Sequence, residues 1–184
     1  ARAASRLNHP NVCVIHEVDE GEDGLPFMAL EYLDGESLAA LLARGQPPLE
    51  RIVTIACELV DALEAAHAAG LVHRDLKPAN LILNSRSQLK ILDFGLAKPL
   101  FGKDGDLDEA RDSTAPGVIL GTPLYMSPEQ ALGQEVDERS DIFSAGVVFF
   151  ELVTGRVPFP GSTFAEVVNT IVNARPDALA RYNY

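Results

Sequence analysis

Apolar and polar positions divide the 184-residue chain into two early strands, then a series of helices with short strands between them. Residues 1–8 have helix-forming composition. His9-Pro10-Asn11 ends that run, because proline disfavours helical backbone at the residue before it. Val12 to Val18 and Leu25 to Tyr32 read as strands. The acidic turn Asp19-Glu20-Gly21-Glu22-Asp23-Gly24 joins them, which predicts a hairpin. A short helix is expected after Asp34-Gly35, with Ser37 near its start and its end about Gly45. Pro47-Pro48 follows as a rigid turn. From Leu49 the apolar residues recur at helical spacing: Leu49, Ile52, Val53, Ala56, Leu59, Val60, Leu63 and Ala66, reaching His67. That spacing predicts about five turns with one continuous buried face, and Gly70 is placed to cap them.

Leu81 to Leu83 and Leu89 to Leu92 read as short strands around the polar turn Asn84-Ser85-Arg86-Ser87. Residues 98–120 contain Gly, Asp and Pro without a period and are expected to form a loop. Glu138 to Thr154 is apolar on nearly every side, the pattern of a buried helix. Gly155 ends it, and Pro158 and Pro160 prevent its resumption. Thr163 to Val172 is amphipathic, with Thr163 or Ser162 as cap. Strands first and helices afterwards define an α+β fold class.

Composition narrows the functions available. Hydrophobic residues make up 47% of the chain, enough for a real core. Fifteen Lys+Arg against 27 Asp+Glu give a formal net charge of −12. An acidic surface repels phosphate backbones and anionic lipid heads, which argues against nucleic-acid partners and against membrane contact by this segment. Cys13 and Cys57 sit in apolar surroundings with no C-x-x-C, and both are expected to be small buried side chains in a reducing compartment. No apolar run reaches the roughly 18 residues of a membrane span, and the longest, Ala145 to Phe150, stops at Glu151. A cytoplasmic location is the corresponding expectation.

The chemistry concentrates in His73-Arg74-Asp75-Leu76-Lys77-Pro78-Ala79-Asn80 and in Asp93-Phe94-Gly95. A long helix delivers a loop with one carboxylate, one amine and one amide. A short strand then delivers a second carboxylate just before a glycine. Carboxylate and amide oxygens are hard ligands suited to Mg²⁺. An ammonium offers a point charge to a phosphate oxygen, and a second carboxylate can orient a hydroxyl and take its proton. Such a set fits phosphoryl transfer, where positioning and charge stabilisation supply most of the catalysis.

These motifs, with Ser127-Pro128-Glu129 and Asp141-Ile142-Phe143-Ser144-Ala145-Gly146 following in order, resemble the eukaryotic-like serine/threonine protein kinases, and the bacterial members most of all. The resemblance covers essentially the whole of residues 1–184 and implies a two-lobed fold. Residues 1–33 would be a remnant of the small lobe (the end of a helix and a β-hairpin) with the hinge, and 34–184 the helical large lobe. It implies ATP and Mg²⁺ (or Mn²⁺) as cofactors, and proteins bearing serine or threonine as substrates. It implies Asp75 as catalytic base and Lys77 as the cation on the transferring phosphoryl group. Asn80 and Asp93 would be metal ligands. Glu31, Tyr32 and Leu33 would form the adenine-facing hinge, with Leu30 as gatekeeper. Arg74 would meet a phosphorylated residue of the loop, Ser113 or Thr114, and Thr122 would bond near Asp75 and Lys77. His73, Phe94, Gly95, Glu129 and Asp141 would be structural, with Glu129 paired to an arginine further along. The Asp-Leu-Lys-Pro form argues for serine or threonine substrates over tyrosine.

The sequence departs from the family pattern at its start. No G-x-G-x-x-G and no matching strand lysine or helix glutamate occur. The reading is of a truncated catalytic domain that by itself binds ATP weakly and has little or no activity. Two alternatives stand beside an active kinase core: a pseudokinase-like interaction module, and a small-molecule phosphotransferase of the aminoglycoside-kinase type. The Gly121-Thr122-Pro123-Leu124-Tyr125-Met126-Ser127-Pro128-Glu129 segment disfavours the latter, because by the resemblance it builds a peptide-binding surface.

Overall fold

A computed structural model describes residues 7–21, 24–92, 94 and 123–182. Strands β1 (Ile15–Glu20) and β2 (Pro26–Leu30) pair antiparallel as the expected hairpin, with a bulge between Ile15 and Glu17. The helix expected over residues 1–8 falls mostly outside the described residues, and Leu7 and Asn8 are not helical.

Val12 and Cys13 leave the hairpin and join a second sheet. Val12 forms a parallel bridge to Ile91, Ile91 N donates to Asn11 O, and Cys13 N donates to Ile91 O. The Asn11 side chain donates to Leu89 O at 2.8 Å, and His9 Nε2 meets Asp61 at 3.1 Å. Residues 9–13 therefore tie the hairpin to the body of the chain.

The three strands of that second sheet run β3 (Gly35–Ser37), β4 (Leu81–Asn84), β5 (Leu89–Ile91), each antiparallel to its neighbour. β3 was not legible as a strand, because three residues carry no alternation. Gly35 is required there by close approach: a Cβ would sit 2.1 Å from Leu83 O. Ser37 then caps α1 (Leu38–Arg44), its hydroxyl accepting from Ala40 N at 3.1 Å.

α2 (Leu49–Ala68) and α4 (Glu138–Thr154) pack together over the second sheet. Their shared core includes Ile55, Leu59, Ala62, Val148 and Leu152, with Leu81, Leu89 and Ile91 from the strands. The α2 face is rotated from its expected position: Ile55 and Ala62 are buried, whereas Leu49, Val53 and Val60 are exposed. Cys57 shares that outer face and is exposed, which corrects the expectation of two buried cysteines; Cys13 is buried. Ile142 is an exposed position on the otherwise largely buried α4.

Between them lies the short helix α3 (Pro128–Ala131), and α5 (Phe164–Asn173) follows α4. Asp137 caps α4 at its start, and Gly155 ends it at φ 70°, a left-handed conformation that glycine adopts without a Cβ penalty. Thr163 caps α5, accepting from Glu166 N. Val167 and Ile171 of α5 bury against Val147 and Phe159. Among the described residues no helix is long and apolar enough to cross a membrane.

Candidate active site

α2 ends at Ala68, and the chain turns through Gly70 and Leu71 into the loop that begins at His73. This loop is held by its backbone. Asp141, in the first turn of α4 and only 1% exposed, accepts from His73 N through Oδ2 and from Arg74 N through Oδ1, both at 2.8 Å. His67 of α2 meets the same Oδ2 at 2.8 Å. Arg74 adopts φ 69°, a left-handed conformation that costs a non-glycine residue about 1–3 kcal/mol. Such a conformation persists only where the surroundings over-determine it, and the Asp141 carboxylate is one of the groups that do so.

His73 is buried, and both of its ring nitrogens are engaged. Its Nδ1 accepts from Asp75 N at 3.2 Å, and Nε2 faces Leu92 O at 2.7 Å. That arrangement assigns the ring proton to Nε2. The ring packs edge-on against Phe94 with centroids 4.9 Å apart. Leu92 N also donates to Asn80 O at 2.9 Å. Leu92 and Phe94, on either side of position 93, are thus both held against the loop. Asp93 itself lies outside the described residues, as do Gly95, Ser113, Thr114 and Thr122.

The polar groups converge on Asp75, whose side chain is 64% exposed. Lys77 Nζ reaches its Oδ2 at 2.7 Å. Asn80, in the 3₁₀ turn Pro78–Asn80, donates from Nδ2 to Asp75 O at 2.8 Å and to Oδ2 at 3.1 Å. The amide nitrogen is thereby committed to Asp75, which leaves the Asn80 carbonyl oxygen as the hard donor available to a cation. The Arg74 guanidinium makes no ion pair among the described residues.

The connector at 31–33 is anchored in a way the sequence did not signal. Glu31 N donates to Val14 O, and Glu31 Oε1 accepts from Val14 N at 3.0 Å and from Lys90 Nζ at 2.7 Å. The Glu31 amide and carboxylate are therefore occupied. Its carbonyl and the Leu33 amide make no backbone hydrogen bond among the described residues. Tyr32 is fully turned to solvent, and Leu30 is partly exposed. A cavity of about 430 Å³ between α1, the start of α2 and the β4–β5 turn contains none of these residues.

On the other side of the loop, α3 begins with a capping box. Ser127 Oγ accepts from Gln130 N, and Gln130 Oε1 accepts from Ser127 N at 3.0 Å. The S-x-x-Q spelling is the signal that could have revealed this helix. Gln130 Nε2 continues to Arg74 O at 2.6 Å. Tyr125, just before α3, donates to Glu151 of α4 at 2.6 Å, and burial followed by that bond raises its phenol well above the ordinary range.

Glu129 accepts a short hydrogen bond from Ser140 Oγ, and Ser127 Oγ donates to Ser140 Oγ at 3.0 Å. Burial opposes the Glu129 charge, but the bond from Ser140, then its own backbone N–H and Ser127, hold the carboxyl below its ordinary range. The unfolded chain therefore binds this proton at higher pH than the native state. The stabilisation is full above the ordinary glutamate range and is lost as pH falls through the lowered native value. Ser140→Ala removes the foremost of the lowering contacts. Its urea midpoint should lie below that of the unaltered protein near pH 6, and the gap should narrow toward about pH 3. A gap that stays constant over this range would sink the assignment.

The family model for the protein kinase domain matches residues 1–181. Serine/threonine-protein kinase pkn3 of Myxococcus xanthus is 44% identical over 164 residues, covering 86% of this chain and 29% of that protein. A probable serine/threonine-protein kinase of Streptomyces coelicolor is 40% identical over 184 residues, covering 97% of this chain and 26% of that protein. Serine/threonine-protein kinase PknL of Mycobacterium tuberculosis is 41% identical over 165 residues, covering 89% and 39%. The chain belongs to the protein kinase domain family, and these relatives are named serine/threonine-protein kinases. It spans between about a quarter and two-fifths of the length of these relatives. The α+β architecture, with its small antiparallel sheets and helical body, is that of a partial kinase fold.

Proposed function

We propose that this chain is the catalytic core of a protein that transfers the γ-phosphoryl group of ATP to serine and threonine hydroxyls of other proteins. The observation that carries the reading is the convergence of Lys77 and Asn80 on one carboxylate oxygen of the exposed Asp75. In this reading Asp75 orients the substrate hydroxyl and accepts its proton as the oxygen forms its bond to phosphorus. The bond from that phosphorus to the bridging oxygen breaks, and ADP leaves with the negative charge. Lys77 sits against Asp75 and presents its ammonium to the oxygens of the phosphoryl group in transit, where a fixed positive charge lowers the barrier.

Asn80 through its carbonyl, together with Asp93, would hold the divalent cation, which we take to be Mg²⁺ with Mn²⁺ as a substitute. When bound, it neutralises charge on the phosphate oxygens. The Glu31 carbonyl and the Leu33 amide are the connector groups available to an adenine edge. The exposed Arg74 guanidinium is the group in this loop that a phosphorylated Ser113 or Thr114 would attract.

The test is a peptide set with serine, threonine or tyrosine at one fixed position, incubated with the full-length protein, ATP and Mg²⁺. Phosphate should appear on the serine and threonine peptides, with the tyrosine peptide at least about ten-fold slower, a difference of ~1.4 kcal/mol in barrier. Equal rates on all three, or ATP turnover with no labelled peptide, would refute it.

A further inference from the structure

The Arg74–Asp75 peptide unit is gripped at both edges. A peptide unit is planar, so Arg74 O and Asp75 N move together. Asp75 N donates to His73 Nδ1. Arg74 O accepts from Gln130 Nε2 at 2.6 Å, from a different element of the fold. On the preceding peptide, Asp141 Oδ1 holds Arg74 N. The left-handed Arg74 thus has its N–H fixed by α4 and its C=O fixed by α3.

Gln130 is suited to this task. It is 3% exposed, and its side chain is tied at both ends, Oε1 to Ser127 N and Nε2 to Arg74 O. Ser127 is in turn bonded to Ser140, the neighbour of Asp141 in sequence. The two groups that hold Arg74 therefore sit on elements that are bonded to each other through Ser127 and Ser140. The capping box itself needs only an acceptor at position 130, and glutamate serves there as well as glutamine. The amide nitrogen is surplus to the cap, and it points at the loop that bears Asp75.

We propose that Gln130 is a positioning residue for the transfer reaction: its side-chain N–H fixes the Arg74–Asp75 peptide plane and so aims the Asp75 carboxylate. This rests on the proposed role of Asp75, so the test carries one readout that does not depend on activity.

Gln130→Glu separates the two duties of the side chain. It keeps the acceptor for Ser127 N and replaces the donor to Arg74 O with a second acceptor. In the full-length protein, the thermal midpoint should drop, because Arg74 O loses its donor and faces a buried carboxyl; at temperatures well below that midpoint, kcat for a serine peptide should fall at least ten-fold, and KM for ATP should stay within two-fold. Protonation returns a donor to position 130, and a desolvated carboxyl facing a carbonyl favours its protonated form. The ratio of variant to unaltered kcat should therefore climb as pH drops from about 8 to about 6. Gln130→Met, similar in shape but without either polar group, should lose activity with no recovery at low pH. In parallel, amide exchange at Asp75 measured by NMR should be faster in Gln130→Glu than in the unaltered protein.

Unchanged kcat together with unchanged Asp75 exchange would overturn the proposal. So would a loss of kcat in Gln130→Glu that is flat with pH and leaves exchange unaltered. If the unaltered protein transfers no phosphate, the exchange measurement decides alone: faster exchange supports the positioning role, unchanged exchange overturns it, and the failure belongs to the proposed reaction.

Discussion

Asp75→Asn should lower kcat for peptide phosphorylation by roughly 10²–10⁴-fold, the range a positioned general base contributes. The substitution is nearly isosteric, and the Asp75 side chain is largely exposed, so stability should change little. Asn at this position has no carboxylate to take a proton, and its amide cannot accept from Lys77 and Asn80 as a charged group does. ATP affinity should stay within a few-fold, because in the proposed reaction Asp75 acts on the hydroxyl rather than on the nucleotide. Steady-state kinetics with ATP binding measured separately would show the split. A large loss of ATP affinity with kcat preserved would mean that Asp75 serves the nucleotide site instead.

Asp141→Ala should have the second large effect, and a different signature. Asp141 accepts two backbone N–H groups and meets His67, and its own carboxylate is nearly closed to water. Its removal strands the His73 amide, a buried donor that costs ~1–3 kcal/mol unpaired, and the part-buried Arg74 amide. The expected destabilisation is about 3–5 kcal/mol by urea unfolding, the range for breaking a buried charged network. Arg74 would also lose the group that holds its left-handed backbone, and misplacement of the loop by about 1 Å can cost 10²-fold in rate. Asp141→Asn should fall between the two, because one amide oxygen can still accept while the NH₂ faces a second N–H. An Asp141→Ala protein as stable as the unaltered one would contradict the bracing role.

The longer helices were legible for reasons that can be traced, whereas the one-turn α3 was not. α2 announced itself by apolar spacing, but spacing alone did not fix the phase of the stripe. Leu49, Val53 and Val60 fit the period and still face solvent, since α4 and the second sheet cover the adjacent strip of Ile55, Leu59 and Ala62. β3 escaped notice because its three residues are defined by pairing to β4 and by the missing Cβ of Gly35. Val12 and Cys13 read as the start of a hairpin strand and Asn11 as part of the break before it, yet Asn11 and Cys13 bond to β5, a long-range pairing that local pattern cannot contain.

The site divides in the same way. Asp75, Lys77 and Asn80 were readable because chemistry and motif lie within six residues. The Lys90–Glu31 ion pair, the His67–Asp141 contact and the reach of Gln130 to Arg74 join residues far apart in sequence. None of these pairings is contained in the local pattern on either side of it.

The central claim is that Asp75, Lys77 and Asn80 form one phosphoryl-transfer centre. Its most direct test is a single-turnover experiment with γ-labelled ATP and a serine peptide, run on the full-length protein and its Asp75→Asn variant, each with and without Mg²⁺. Label should reach the peptide serine only when both Asp75 and the cation are present. Equal transfer by the Asp75→Asn variant, or transfer indifferent to the cation, would contradict the account.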